Sequence, residues 1–229
     1  INAELGLMYQ LIIFDWDGTL MDSAAKISNC IRAAAEDVGL PVPSSQEAQQ
    51  IIGLGLYEAM QRLFPQAGAA QIEALIAAYK YHFVTGDVTE QRLFNGVLEG
   101  LTHIADQGAL LAVATGKSRV GLNRAFDVTG LAPHFTYTRC ADETRSKPHP
   151  QMLEEILDFT AVDPSKAIMI GDTTFDMEMA TNAGIDGLAV SYGVHSEADL
   201  GATSALDVVS SFGDLMSWLS SGRLQKVFA

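Results

Sequence analysis

The 229-residue chain has few basic residues: 14 lysines and arginines stand against 28 aspartates and glutamates, which gives a formal net charge of −14. A protein that binds nucleic acid generally needs a basic surface to displace counterions from the phosphate backbone. The same shortage disfavours adsorption to an anionic membrane surface. The composition therefore argues against nucleic acid and membranes as partners.

Cysteines and long apolar runs are also scarce. The two cysteines, Cys30 and Cys140, are too few for a disulfide framework and form no CxxC motif, which fits a reducing compartment. No apolar run approaches the roughly 18 residues that span a bilayer, and the N-terminal segment lacks the basic start of a secretory signal. We therefore expect a cytoplasmic protein, and we interpret residues 1–7 as an N-terminal extension.

Short, continuous apolar runs alternate with amphipathic segments over most of the chain. Such runs are typical of strands that are buried on both faces, and they occur at 9–14, 109–114, 167–170, 187–191 and, more weakly, 205–209. Helical spacing of apolar residues is found between and after them, at 24–38, 151–159 and 215–219. This alternation predicts an α/β fold with a doubly wound, Rossmann-like and mostly parallel sheet.

One region breaks the alternation. Between Asp22 and Arg92 no strand-like run occurs, and the helical patterns are separated by prolines and glycines. A segment of roughly 70 residues is too long for a simple crossover connection, which typically takes a dozen or more residues. We predict a helical cap domain over 22–92, inserted into a discontinuous core domain formed by 8–21 and 93–229.

Acidic residues directly follow two of the predicted strands. Asp15 and Asp17 come after the first strand, and Asp172 and Asp176 come after the strand at 167–170. Ligands of open α/β sheets bind beyond the carboxyl ends of the strands. Carboxylates this close need a cation or a shared proton, and Mg²⁺ takes oxygen ligands. A magnesium site is the favoured interpretation; a surface turn after the first strand and helix capping by Asp172 are the alternatives.

Two further segments carry groups that can bind phosphate. Thr115 and Gly116 follow the strand predicted at 109–114 and offer a hydroxyl and backbone N–H groups. Lys147 lies in a loop before a predicted helix, where it could neutralise carboxylates and phosphate or be an ordinary solvated lysine. A GxxxxGK[ST] phosphate loop is excluded because Leu111 occupies the position of its first glycine.

These four segments, in this order, resemble the haloacid dehalogenase superfamily of phosphotransferases over nearly the whole chain from Tyr9. The resemblance rests on DWDGTL at 15–20, a strand that ends in Thr115, the SKPHP loop at 146–150 and GDTTFD at 171–176. The runs DGTLMDS and IIGLGL, together with SKPHP, are similar to the phosphoglycolate-phosphatase-like subgroup.

The resemblance implies a role for each of these residues. It makes Asp15 the nucleophile that forms an aspartyl-phosphate, and Asp17 the general acid and base. It has Thr115 and Lys147 hold the phosphoryl oxygens. It also implies that Asp15, Asp172 and the Asp17 backbone carbonyl coordinate Mg²⁺.

Smaller features of the motifs refine this expectation. Asp176 is expected to support the metal from nearby, and Gly116 stands where many relatives carry asparagine. Trp16 also fills a slot that usually holds a smaller apolar residue. Asp17 favours a phosphatase over a true dehalogenase, because a halide leaving group needs no proton.

The expected activity is Mg²⁺-dependent hydrolysis of a small organic phosphomonoester, either phosphoglycolate-like or a sugar phosphate. A sugar-phosphate mutase of the β-phosphoglucomutase type is the alternative within the superfamily, and a non-catalytic receiver-like phosphoacceptor is a distant one. The expected partner is therefore a small phosphorylated metabolite. We expect the protein to be a monomer or a homodimer.

Overall fold

The computed structural model describes residues 9–221, 223 and 224, so the extension expected at 1–7 lies outside it. The strands, numbered in chain order, are β1 (Leu11–Phe14), β2 (Met21–Asp22), β3 (Arg92–Leu93), β4 (Leu110–Thr115), β5 (Tyr137–Cys140), β6 (Ala167–Gly171), β7 (Asp186–Val190) and β8 (Val208–Val209). Six of them pair in parallel in the order β5-β4-β1-β6-β7-β8. The predicted mostly parallel sheet is confirmed.

Helices connect these strands. In chain order they are α1 (Ala24–Asp37), α2 (Ser45–Gln49), α3 (Leu56–Leu63), α4 (Ala69–Tyr81), α5 (Val97–Asp106), α6 (Arg119–Thr129), α7 (Gln151–Thr160), α8 (Thr174–Ala183), α9 (Glu197–Gly201) and α10 (Phe212–Ser220). A π-helical turn at His82–Gly86 continues α4, and short 3₁₀ turns occur at Ala132–His134 and Pro164–Lys166. No helix among the described residues is long and apolar enough to cross a membrane.

Both faces of the sheet are covered, which explains why the strands are continuously apolar. On one face, Ile12 and Phe14 of β1 pack with buried residues of α5, α6 and α10. On the other face, Leu11 and Ile13 pack with buried residues of α7 and α8. Period-two alternation thus sends successive side chains into two separate cores. The fold is doubly wound, as predicted.

Of the six strands in the parallel sheet, β5 is the one that the apolar runs do not predict. Its residues Tyr137, Thr138 and Arg139 are half-buried and only Cys140 is buried. As an edge strand it pairs with β4 alone. An edge position needs no continuous apolar run, so the hydropathy signal is weak there.

Helices α1–α4 lie between the two short strands β2 and β3. These strands pair antiparallel, with Met21 opposite Leu93 and Asp22 opposite Arg92. The segment that enters the helical region and the segment that leaves it therefore run side by side. The helices have a hydrophobic core of their own, in which Ile31, Met60 and Leu75 are fully or almost fully buried. The segment therefore packs as a helical cap.

Candidate active site

The carboxyl ends of three neighbouring strands bring the predicted residues together. Asp15 follows β1, Thr115 ends β4, and Asp172 follows β6. Because β4 and β6 flank β1 in a parallel sheet, these three ends meet at one edge. Each of the three residues is 0 or 1% exposed.

Asp15 is held by two donors through one of its carboxylate oxygens. Its Oδ1 accepts a hydrogen bond from the backbone N–H of Trp16 at 2.6 Å and lies 3.0 Å from Nζ of Lys147. Its Oδ2 is buried and has no hydrogen-bond partner among the described residues. Burial raises the pKa of Asp15 to about 7, against the opposing charge of Lys147. One oxygen is therefore free for a ligand.

Lys147 joins the two acidic segments. Its Nζ donates to Oδ1 of Asp176 at 2.6 Å while it contacts Asp15 on the other side. The second oxygen of Asp176 accepts from the backbone N–H and the hydroxyl of Thr173, at 3.1 and 2.7 Å. Burial opposes the charged amine, but the carboxylates of Asp15 and Asp176 raise the pKa of Lys147. The lysine is thus a buried, permanently charged bridge rather than a solvated one.

Asp172 completes a cluster of three buried carboxylates. Its Oδ1 accepts from the hydroxyl of Thr19 at 2.9 Å, and its Oδ2 accepts from the backbone N–H of Val194 at 2.9 Å. Burial, followed by the charges of Asp15 and Asp176, raises its pKa well above the usual value. One oxygen from each of the three carboxylates lies within 4.8 Å of the others.

This cluster suits a hard divalent cation. Carboxylate oxygens are the ligands that Mg²⁺ prefers, and Asp15 has an unpartnered buried oxygen beside the other two carboxylates. When all three carboxylates are ionised, they and the Lys147 ammonium leave two negative charges, which one divalent ion balances. The donor set therefore fits a magnesium ion.

A glycine packs closely against Asp172. Gly18 has φ +82°, and a Cβ at this position would collide with the Asp172 carboxylate. Gly193 approaches the same carboxylate from the loop after β7. The sequence motifs predict no contact between this second loop and Asp172. Backbone donors such as the Val194 N–H leave no trace in a residue pattern.

Asp17 faces a different set of partners from Asp15. It is 8% exposed, and Oδ1 accepts from the Ser23 hydroxyl at 2.6 Å. The ammonium of Lys117 lies 2.9 and 3.0 Å from its two oxygens. The Asp17 side chain is not part of the three-carboxylate cluster. The sequence motifs assign no role to Lys117, although its place just after β4 is a usable signal.

The cap meets the core directly at the predicted phosphate-binding segment. The Thr115 hydroxyl accepts from the backbone N–H of Lys117 at 3.2 Å. A Cβ on Gly116 would lie 2.5 Å from the carbonyl oxygen of Leu54, a cap residue. Only glycine leaves room for the cap at this distance, which explains why no larger residue stands there.

A cavity of about 400 Å³ lies between the cap and the core. Asp15 and Asp17 both form part of its wall, together with Gly116 and Lys117. A molecule in this cavity would therefore lie beside both aspartates.

Comparison with known proteins agrees with this geometry. A family model described as haloacid dehalogenase-like hydrolase matches residues 12–190. The chain is 31% identical over 213 residues to "Probable phosphatase IndB" of Dickeya dadantii, covering 91% of this chain and 93% of that protein. It is also 31% identical over 208 residues to a phosphoglycolate phosphatase of Caulobacter vibrioides, covering 86% and 88%.

A solved structure supports the same fold. A haloacid dehalogenase-like family hydrolase from Streptococcus pneumoniae superimposes with a TM-score of 0.80, at 23% identity, over 92% of this chain and 98% of that one. The resemblance read from the motifs is confirmed: this protein is an enzyme of the haloacid dehalogenase-like hydrolase family, with phosphoglycolate-phosphatase-like relatives.

Proposed function

We propose that this protein hydrolyses a small organic phosphomonoester by way of an aspartyl-phosphate, with Mg²⁺ as cofactor. The observation that carries the proposal is the position of Asp15. It forms part of the cavity wall and also belongs to the three-carboxylate cluster with Asp172 and Asp176. A nucleophile there can meet a phosphoryl group and a divalent cation at once.

In the first step, a carboxylate oxygen of Asp15 attacks phosphorus, and the bond from phosphorus to the alcohol oxygen breaks. Asp17 donates its proton to the leaving alkoxide. In the second step, Asp17 takes a proton from water, and the water oxygen attacks the phosphorus of the aspartyl-phosphate. Inorganic phosphate leaves and the Asp15 carboxylate is restored.

The surrounding groups orient and neutralise the phosphoryl group. Lys147 and Thr115 are at the same strand edge as Asp15, where an ammonium and a hydroxyl can hold phosphoryl oxygens. Asp15, Asp172 and the Asp17 backbone carbonyl would hold Mg²⁺, with Asp176 supporting Lys147 and the metal. When bound, Mg²⁺ supplies charge stabilisation for the transferring phosphoryl group.

The test replaces Asp15 and measures phosphate release. We expect Asp15→Asn to lower the hydrolysis of p-nitrophenyl phosphate with Mg²⁺ by at least about 10³-fold, because the nucleophile is removed. Asp158→Asn, an exposed aspartate on α7, serves as the matched control and should keep wild-type activity. Undiminished turnover by a folded Asp15→Asn protein would refute the nucleophile assignment.

Product analysis separates the phosphatase from the sugar-phosphate mutase. A phosphatase releases inorganic phosphate from a sugar phosphate, whereas a mutase returns the phosphoryl group to a sugar hydroxyl. The relatives named as phosphatases, at 31% identity over most of this chain, favour the phosphatase. Phosphate release without an isomerised sugar phosphate is the expected result.

A further inference from the structure

The cavity beside Asp15 and Asp17 is larger than a glycolate group needs. Its volume of about 400 Å³ falls within the range of roughly 300–1,000 Å³ that is typical of pockets for drug-sized ligands. Its wall is mostly apolar. The side chains that give it this character include Ile27, Ile31, Ile51, Ile52, Leu54 and Phe83.

None of the three cationic side chains that the described residues contribute to the cavity wall, Lys80, Lys117 and Arg124, is both buried and free of a carboxylate partner. Lys117 is engaged by both oxygens of Asp17. Lys80 and Arg124 are exposed to solvent. A carboxylate that lay against the apolar part of this wall would have no charged partner there, and a buried charge without a partner is costly.

The apolar wall continues to the surface on both sides of the opening. Val84 of the cap is 51% exposed and Val120 of the core is 68% exposed, yet both also line the cavity. An apolar group that extends from the reacting centre would therefore stay in contact with apolar side chains along the cavity.

We infer that the preferred substrate is a phosphomonoester whose alcohol part is an apolar chain or ring. The inference rests on the proposed phosphatase function and narrows its substrate class. The phosphoryl group would lie at Asp15, and the apolar body would fill the space between α1, the Ile51–Leu54 segment and Phe83. Burial of that body would supply binding energy that a polar alcohol lacks.

The test is a series of n-alkyl phosphates from ethyl to hexyl, assayed beside glycerol 1-phosphate and 2-phosphoglycolate with Mg²⁺. All of these release a primary alcohol, so that the apolar surface is the main variable. We expect kcat/KM to rise about fourfold per added methylene until the cavity is filled. Hexyl phosphate should exceed both polar substrates by at least about tenfold.

A matched pair of double variants connects this preference to the cavity. Val84→Ser with Val120→Ser should flatten the rise of kcat/KM with chain length. Val88→Ser with Val128→Ser is the control, since these valines are 95% and 79% exposed and do not line the cavity. All four positions are exposed, so both proteins should fold.

The outcomes distinguish the two proposals. If neither p-nitrophenyl phosphate nor any alkyl phosphate is hydrolysed, the proposed function fails and this inference fails with it. If phosphate is released but kcat/KM is independent of chain length, or is highest with glycerol 1-phosphate or 2-phosphoglycolate, the substrate inference is overturned while the phosphatase stands. An equal effect of the two double variants would also overturn it.

Discussion

The ammonium group of Lys117 lies 2.9 Å from one carboxylate oxygen of Asp17 and 3.0 Å from the other. Both side chains are largely buried, at 9% and 11% exposure. The same ammonium lies 5.2 Å from the centre of the Phe83 ring, which belongs to the cap. Lys117 thus connects the proposed general acid with the cap above it.

This contact predicts a dependence on the leaving group. Lys117→Met removes the ion pair that positions Asp17, so proton donation to an alkoxide should suffer. We expect kcat/KM with ethyl phosphate to fall by at least about 10²-fold. With p-nitrophenyl phosphate, kcat/KM should fall by about tenfold or less, because a nitrophenolate leaves without a proton.

Lys166→Met is the matched control for this prediction. Lys166 immediately precedes β6, so it lies at the edge of the sheet opposite the proposed site. This variant should retain wild-type kcat/KM with both substrates. Equal losses with the two substrates in Lys117→Met would show that Lys117 does not act through Asp17.

The second prediction concerns two glycines that have a left-handed backbone conformation, one of which serves as the control for the other. Gly18 has φ +82° and Gly39 has φ +70°, so alanine is strained by roughly 1–2 kcal/mol at either position. At Gly18 the new Cβ would also collide with the Asp172 carboxylate. At Gly39 no atom of the described residues lies within 4 Å of an added Cβ. Gly18→Ala should therefore lower the affinity for Mg²⁺ by about 10- to 100-fold.

The measurements are the free energy of unfolding and the Mg²⁺ dependence of phosphate release. Gly39→Ala should lose a similar amount of backbone stability and keep its Mg²⁺ dependence. If Gly18→Ala binds Mg²⁺ as tightly as Gly39→Ala does, then the close packing of Gly18 on Asp172 has no role in forming the metal site.

Sequence alone predicts the parts of this site that lie on buried strands. Continuous apolar runs locate β1, β4 and β6, and the polar residues that follow them are Asp15, Thr115 and Asp172. Both signals are local, and parallel pairing then brings the strand ends to one edge. The domain boundaries at 22 and 92 and the catalytic roles stay predictions.

The remaining contacts depend on chain folding over long distances. Lys117 and Asp17 are 100 residues apart in sequence, and the Val194 N–H reaches Asp172 through a loop after β7. The place of Lys117 just after β4 indicates the sheet edge but not its partner Asp17, and no residue type or spacing marks the Val194 N–H. The counter-ion of Asp17 is Lys117, whereas Lys147 lies between Asp15 and Asp176.

The raised pKa values in the carboxylate cluster predict how stability depends on pH and metal. Burial raises the pKa of Asp15 from 3.8 to about 7, and Asp172 shifts in the same direction. A folded-state pKa above the unfolded value favours folding at low pH, and this contribution is lost as pH rises from about 4 to 7. Mg²⁺ binds the ionised carboxylates, so its stabilising effect should grow over the same range.

The measurement is the increase in Tm caused by a fixed excess of Mg²⁺, recorded at several pH values. We expect a small increase near pH 5 and a larger one near pH 8, since the Asp15 carboxylate ionises between these values. In Asp15→Asn the pH dependence should be weaker, because one of the titrating ligands is gone. A stabilisation by Mg²⁺ that is the same at every pH would contradict this account of the cluster.

The final prediction concerns Trp16, which is fully buried next to the proposed nucleophile. Its ring meets Phe126 edge-on at 5.3 Å, but its Nε1 has no hydrogen-bond partner among the described residues. Trp16→Phe removes the unsatisfied N–H donor, which should stabilise the folded state by about 1–3 kcal/mol. The phenyl ring is smaller than the indole, and the packing lost with it should cost a similar free energy.

The two contributions should nearly cancel, so we expect Trp16→Phe to change the free energy of unfolding by less than about 1.5 kcal/mol. Trp16→Ala lacks the ring altogether and should cost about 3–5 kcal/mol. Denaturant unfolding of both variants measures the difference. If Trp16→Phe is as destabilising as Trp16→Ala, then the indole N–H has a partner or the position requires the full indole, and the balance argued for this site is wrong.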